Sequence, residues 1–175
     1  ITSCWQATDD IKEHMLHFLE NHDEQRIASA YFAGNAEKAK PALAAGALMS
    51  PGAYMVYAGQ EIGEAGMDAE GFSGNDGRTT IFDYWNPASL QKLTAPAFEK
   101  KLTPEEAALY DYYQKILTLC NSRKAFAQGG FFDLQYANYG RDYGYNCDRQ
   151  YSFLRHFGRE VYLVAVNFDP ASVQV

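Results

Sequence analysis

This 175-residue chain has little of several things, and each scarcity excludes a class of protein. It has three cysteines, Cys4, Cys120 and Cys147, spaced far apart. That is neither a disulfide framework nor a zinc pattern, and it reads as buried free thiols. It has no run of eighteen apolar residues, so no segment is expected to span a bilayer. Positive charge is scarce: 15 Lys and Arg stand against 22 Asp and Glu, a formal net charge of −7. Nucleic acids and anionic membranes demand basic patches, so neither is expected as the partner. There is no internal repeat, no low-complexity segment and no signal-like opening stretch. The chain opens at Ile1 without Met, and is read as processed, trimmed or excised from something longer.

Aromatics are what the chain has in abundance, with 13 Tyr and 11 Phe. Such rings fill cores, and Tyr also presents a polar edge suited to interfaces and sugars. At 47% apolar residues there is material for a core.

The patterning divides the chain in two. Met15 to Glu20 is a short apolar run that ends in Asn21-His22-Asp23, as a buried strand with a polar C-terminal edge would. Asn35 to Met49 is Ala- and Leu-rich and helix-prone, with Asn35 as N-cap. Pro41 requires this helix either to start nearby or to kink. Ser50-Pro51-Gly52 stops it, and Ala53 to Tyr57 reads as a second buried strand ending in Ala58-Gly59-Gln60-Glu61. Strand, helix, strand in this order predicts a parallel βα unit.

A long irregular region follows, from Gly63 to Leu102. Thr103-Pro104-Glu105-Glu106 then opens a strong helix with a capping box and proline at the first helical position. Its apolar face is Leu109, Tyr113, Ile116, Leu117 and Cys120, and it is expected to run to Ala125 or Ala127. Gly129-Gly130 marks the expected domain boundary. Beyond it the period changes to that of strands: 131–134, 151–157 and 161–166, the last two joined by a turn at Gly158-Arg159.

Some spacings invite a metal. His14 and His17 lie three apart, and on one strand they would face opposite sides. Asp68, Glu70, Asn75 and Asp76 do not have the spacing of an EF-hand loop. No metal and no cofactor is expected.

Phe18-Leu19-Glu20-Asn21-His22-Asp23 resembles the last catalytic motif of the α-amylase family of glycoside hydrolases, an Asn-His-Asp at the end of the seventh barrel strand. Pro51-Gly52 and Tyr57-Ala58-Gly59-Gln60-Glu61-Ile62-Gly63 resemble that family's eighth strand. Tyr110 to Arg123 is similar to its eighth helix, and Leu163 to Phe168 to the Asn-Phe strand of its C-terminal β domain. Gly77 to Trp85 stands where many relatives carry an Arg-containing loop over the active site.

The resemblance implies an α/β fold. Residues 1–129 would be the C-terminal part of a (β/α)8 TIM barrel, and 130–175 the start of a truncated antiparallel β domain. It implies that Asp23 is the family's third, transition-state-stabilising carboxylate and that His22 binds the same sugar. Asn21, Arg26 and Arg78 are candidate substrate-binding residues. Asn21 also suits holding the loop, Arg26 suits pairing with a carboxylate near the site, and Arg78 suits an ordered loop. Glu61 is structural by the same resemblance.

Retaining glycosidases use two carboxyl groups about 5 Å apart, one as nucleophile and one as general acid/base. The motifs that carry them in this family, a Gly-x-Arg-x-Asp and a strand-end Glu, are absent. Tyr139-Gly140-Arg141-Asp142 approaches the first but falls beyond the boundary. The expectation is therefore a fragment of an α-glucan hydrolase, inactive alone; the compartment of its parent enzyme is left open, with secreted or periplasmic as the candidates. The alternatives are a transglycosylase of the same family and a non-catalytic glycan- or protein-binding relative. Two barrel strands without neighbours would leave open edges, so the fragment is expected to self-associate or partly rearrange.

Overall fold

A computed structural model describes residues 1–66, 76–79, 87–140 and 144–172. By internal contacts the chain divides into two compact units. The first comprises Ile1–His17, Pro41–Tyr54 and Ile116–Val175; the second comprises Phe18–Lys40 and Met55–Lys115.

The first unit opens with α1 (Thr2–Ala7) and a 3-10 turn at Lys12–His14. Its largest feature is an antiparallel sheet of three strands in the order β3 (Gly130–Asp133), β4 (Gln150–Phe157), β5 (Glu160–Asn167). β4 is central and its first four residues are buried, whereas β5 is an edge and alternates half-buried with exposed along most of its length. Phe157 pairs with Glu160, leaving Gly158-Arg159 as a two-residue hairpin loop. Gly158 has φ of 59° while Arg159 keeps a negative φ, the pattern of a type II′ turn whose twist suits the strands. The sheet follows the expected strands within one residue at most ends.

Helix α2 (Ala39–Met49) begins after a 3-10 turn at Ala36–Lys38, which Asn35 caps by accepting from the Glu37 amide at 2.8 Å. Pro41 thus sits in the first helical turn, where a missing N–H leaves nothing unpaired. Leu43, Leu48, Met49, Ala125, Phe126, Phe153 and Val166 form the core of the first unit.

Helix α4 (Pro104–Ser122) carries the capping box. The Thr103 amide donates to the Glu106 carboxylate at 2.8 Å, and the Glu106 amide donates to Thr103 Oγ1 at 3.2 Å. The helix is shorter than expected. It ends at Ser122, Arg123 turns extended, and a separate turn α5 (Lys124–Ala127) follows. Arg123 accepts from the amides of Phe126 and Ala127, and the new turn buries Ala125 and Phe126. In the second unit Leu109 and Tyr113 of α4 join Ile27, Ala39 and Ile62 as core, and α3 (Ala88–Thr94) is tied on by the Lys92–Glu106 bond at 2.6 Å.

The two expected barrel strands are much shorter than the sequence predicts. β1 is His17–Phe18 and β2 is Tyr54–Met55, and they pair as a two-stranded sheet. The His17 amide donates to the Ala53 carbonyl at 2.9 Å. Strands buried on both faces need neighbours for their ladders, and among the described residues these two pair only with each other. The result is an α/β chain with one antiparallel sheet; among the described residues no barrel closes. The last helix, α6, is a single turn at Gln135–Asn138.

Candidate active site

The residues after β1 form a loop in the second unit, and its two feet are tied together. Glu20 stands at one foot and Arg26 at the other. Arg26 Nη1 donates to Glu20 Oε2 at 2.9 Å, and the Ile27 amide donates to Glu20 Oε1 at 2.7 Å. Burial pushes the Glu20 carboxyl above the ordinary carboxylate range, against the pull of the Arg26 and Ile27 hydrogen bonds.

Between the feet, Asn21 organises the backbone. Its Oδ1 accepts from the Asp23 amide at 2.8 Å and the Glu24 amide at 2.9 Å. This Asx-type turn leaves the Asn21 carbonyl oxygen committed to the loop itself. His22 and Asp23 project from the turn with side chains 43% and 71% exposed, and His22 Nε2 lies 3.4 Å from Asp23 Oδ2. The structure thus brings together an exposed carboxylate and an imidazole on a backbone held from below. Such a pair can accept and donate hydrogen bonds to adjacent hydroxyls of one sugar.

Arg26 lies inside the protein, 1% exposed. Besides Glu20, its Nε donates to Thr79 Oγ1 and its Nη2 to the Ala58 carbonyl, each at 2.8 Å. Its guanidinium carbon is 4.1 Å from the centroid of the Tyr57 ring. Each of its three side-chain nitrogens donates within the protein, so its geometry is that of a support.

Arg78 lies on the segment 76–79. Its Nη1 is 3.8 Å from Asp76 Oδ2, a loose pair with the Arg side chain 36% exposed, and its buried Nε has no partner among the described residues. The segment is seated by Gly77, whose carbonyl accepts from the Arg26 amide at 2.8 Å. Gly77 has φ of 77°, and a Cβ there would fall 1.9 Å from Ser29 Oγ, so any other residue would strain the backbone and displace Ser29.

The Gly-Gln-Glu motif spends its side chains on structure. The Gln60 amide donates to the Tyr113 hydroxyl at 2.9 Å, and the Glu61 carboxylate accepts from the Gly59 amide at 3.0 Å. Burial drives the Tyr113 hydroxyl far above its usual pKa, so it stays protonated. Among the described residues no group of three or more His, Cys, Asp or Glu could hold a metal, and no helix is long and apolar enough to cross a membrane. Asp68, Glu70, Asn75, Tyr84, Trp85, Arg141 and Asp142 lie outside the described residues.

Sequence reasoning missed one buried cation altogether. Arg155, fully buried in the first unit, donates to the carbonyls of Ala125 at 3.1 Å, Phe126 at 3.0 Å, Gly129 at 2.8 Å and Met49. Burial lowers its pKa to about 10. The parity of Tyr151, Phe153 and Arg155 on one strand face was the available signal.

Comparison with known proteins gives the fold and the family of this chain. Among solved structures the chain is similar to trehalose-6-phosphate hydrolase from Bacillus licheniformis, at 15% identity and a TM-score of 0.51, covering 93% of this chain and 37% of that one. It is similar to isomaltulose synthase from Erwinia rhapontici NX5, solved as a variant with D-glucose, at 19% identity, a TM-score of 0.52 and the same coverages. It is also similar to isomaltulose synthase from Protaminobacter rubrum, at 20% identity and a TM-score of 0.52, covering 88% of this chain and 34% of that one. The chain spans a little over a third of the length of these structures. At such identities the likeness concerns the fold alone. No curated protein matches. The family model described as "Alpha amylase, catalytic domain" matches residues 2–129, most of the chain and all of the loop that carries Asp23, and the chain therefore belongs to the alpha-amylase family.

Proposed function

We propose that this chain supplies part of the donor-sugar subsite of a retaining α-glucan hydrolase acting on α-1,4-glucosidic bonds. In this reading residues 1–129 are the last strands and helices of a (β/α)8 barrel, and 130–175 begin a C-terminal β domain. The observation that carries it is the projection of Asp23 and His22, exposed and adjacent, from a loop with a buried ion pair at its base. Positive charge develops on the sugar ring in an oxocarbenium-like transition state. A carboxylate fixed beforehand stabilises that charge without reorganising, which is the role assigned to Asp23. His22 binds a hydroxyl of the same sugar. Asn21 holds the turn, and Arg78 is the candidate to reach the substrate from the neighbouring segment. The nucleophile and the general acid/base come from sequence outside this chain, so the chain alone is inactive.

The test is hydrolysis of a long maltooligosaccharide by three proteins: this chain, an upstream-extended version, and the extended version with Asp23→Asn. Cleavage by the extended wild type alone supports the reading. Cleavage by the 175-residue chain itself would overturn the claim that its catalytic groups lie elsewhere.

A second reading is transfer in place of hydrolysis. Two of the similar structures are isomaltulose synthases. Product analysis of the same reactions, for new glucosides against free sugar, separates the two. We also propose self-association of the isolated chain. Leu16 and Phe18, beside and within the short first strand, are 51% and 42% exposed. Sedimentation at micromolar concentration should show more than a folded monomer.

A further inference from the structure

We infer that Arg26 is a positioning residue that locks the Asp23 loop and the Arg78 segment into one arrangement. The inference rests on the reading of Asp23 as a sugar-binding carboxylate for its functional meaning, but its structural claim stands on the contacts alone.

Three stretches of sequence converge on one guanidinium. The first is the loop itself, closed by Glu20 and Arg26 with Asp23 at its exposed centre. The second is Tyr57-Ala58, which offers a carbonyl oxygen and a ring face. The third is 77–79, which offers the Thr79 hydroxyl, 1% exposed, and the Gly77 carbonyl to the Arg26 amide. Tyr57 closes the circuit by donating its hydroxyl to the Thr79 carbonyl at 3.1 Å. Arg78 sits between the two residues that Arg26 holds, and Asp23 sits between the two feet that Arg26 joins. Neither loop can shift without breaking a bond to the same buried group. A planar fork with donors in several fixed directions is what this junction needs, and a lysine offers only a point charge. A rigid support beneath an exposed polar pair is how a binding site holds its geometry before the ligand arrives.

The test is amide hydrogen exchange on the 175-residue chain with Arg26→Lys and, separately, Thr79→Val. Thr79→Val removes one acceptor and no charge, so it reports even if Arg26→Lys does not fold. Both variants should speed exchange at Asp23, Glu24, Arg26 and Ile27 together with 76–79, by about tenfold or more, while β4 and β5 keep their wild-type rates. Unchanged exchange at 76–79, or a uniform rise through β4 and β5, would overturn the proposal, since the first denies the coupling and the second makes Arg26 a general stability residue. In the extended protein Thr79→Val should lower kcat on maltooligosaccharide; kcat unchanged beside altered exchange would remove the functional meaning. If Asp23→Asn leaves activity intact, the sugar reading fails while the exchange result remains.

Discussion

The Glu20 carboxylate meets the Arg26 guanidinium at 2.9 Å, with side chains 3% and 1% exposed. A buried pair is a weak source of net stability, but breaking it is costly because the surviving partner is left uncompensated. Glu20→Ala should destabilise the chain by about 3–5 kcal/mol, read from the urea midpoint. Glu20→Gln keeps an acceptor for Arg26 and should cost less. Equal losses in the two variants would mean that packing, not pairing, dominates.

The capping box at the start of α4 sets a pH dependence. Desolvation pushes the Glu106 carboxyl up, but hydrogen bonds from Lys92 and the Thr103 amide, with the Lys92 charge, outweigh it and hold Glu106 below its ordinary 4.5. A carboxyl depressed in the folded state contributes stability above 4.5 and loses it as pH falls through the folded value. Stability measured from pH 5 downward to about 3 should therefore fall less steeply in Glu106→Gln than in wild type. Glu20, displaced upward, adds a slope of the opposite sign, but it does so in both proteins and cancels in the comparison of Glu106→Gln with wild type. Thr103→Ala should cost about 1 kcal/mol at any pH above it.

Arg155 has four carbonyl partners, and lysine cannot serve them all. Arg155→Lys should cost about 2–4 kcal/mol, because buried carbonyls are left without donors. Thermal unfolding followed by circular dichroism would show it. A loss within half a kilocalorie would mean that the carbonyls find water or other donors.

The thiols should sort by environment. Burial pushes Cys120 up to about 11, and its Sγ lies 3.2 Å from the Ala47 carbonyl, whereas Cys4, against the expectation of buried thiols, is exposed. At pH 8 the Cys120 thiolate is roughly one part in a thousand. Iodoacetamide should modify Cys4 first and reach Cys120 only on unfolding, as peptide mapping over time would reveal. Equal rates would place Cys120 at the surface.

Much of the fold was legible where the signal is local. Thr103 and Glu106 specify a helix start by themselves, and Gly158-Arg159 between alternating runs specifies a hairpin. The strands at Met15 to Glu20 and Ala53 to Tyr57 were over-read, because strand length depends on neighbours that hydrophobicity alone does not supply. The break at Arg123 was missed, since it serves the packing of Ala125 and Phe126. At the candidate site, the motif picked out Asp23 and His22, which lie side by side. It did not show that Arg26 faces inward, because Thr79 and the Ala58 carbonyl reach it only through the tertiary fold.

The carbonyls that Arg155 gathers include Met49, the last residue of α2, and two residues of α5. Helix ends normally find water or a glycine-based closure for such groups. Here one side chain on the central strand does so, which makes strand and helix ends hostages to each other. Peeling β4 away would strand four acceptors at once, so the sheet and these two helix termini should open as a single foldon, with no partly frayed state between.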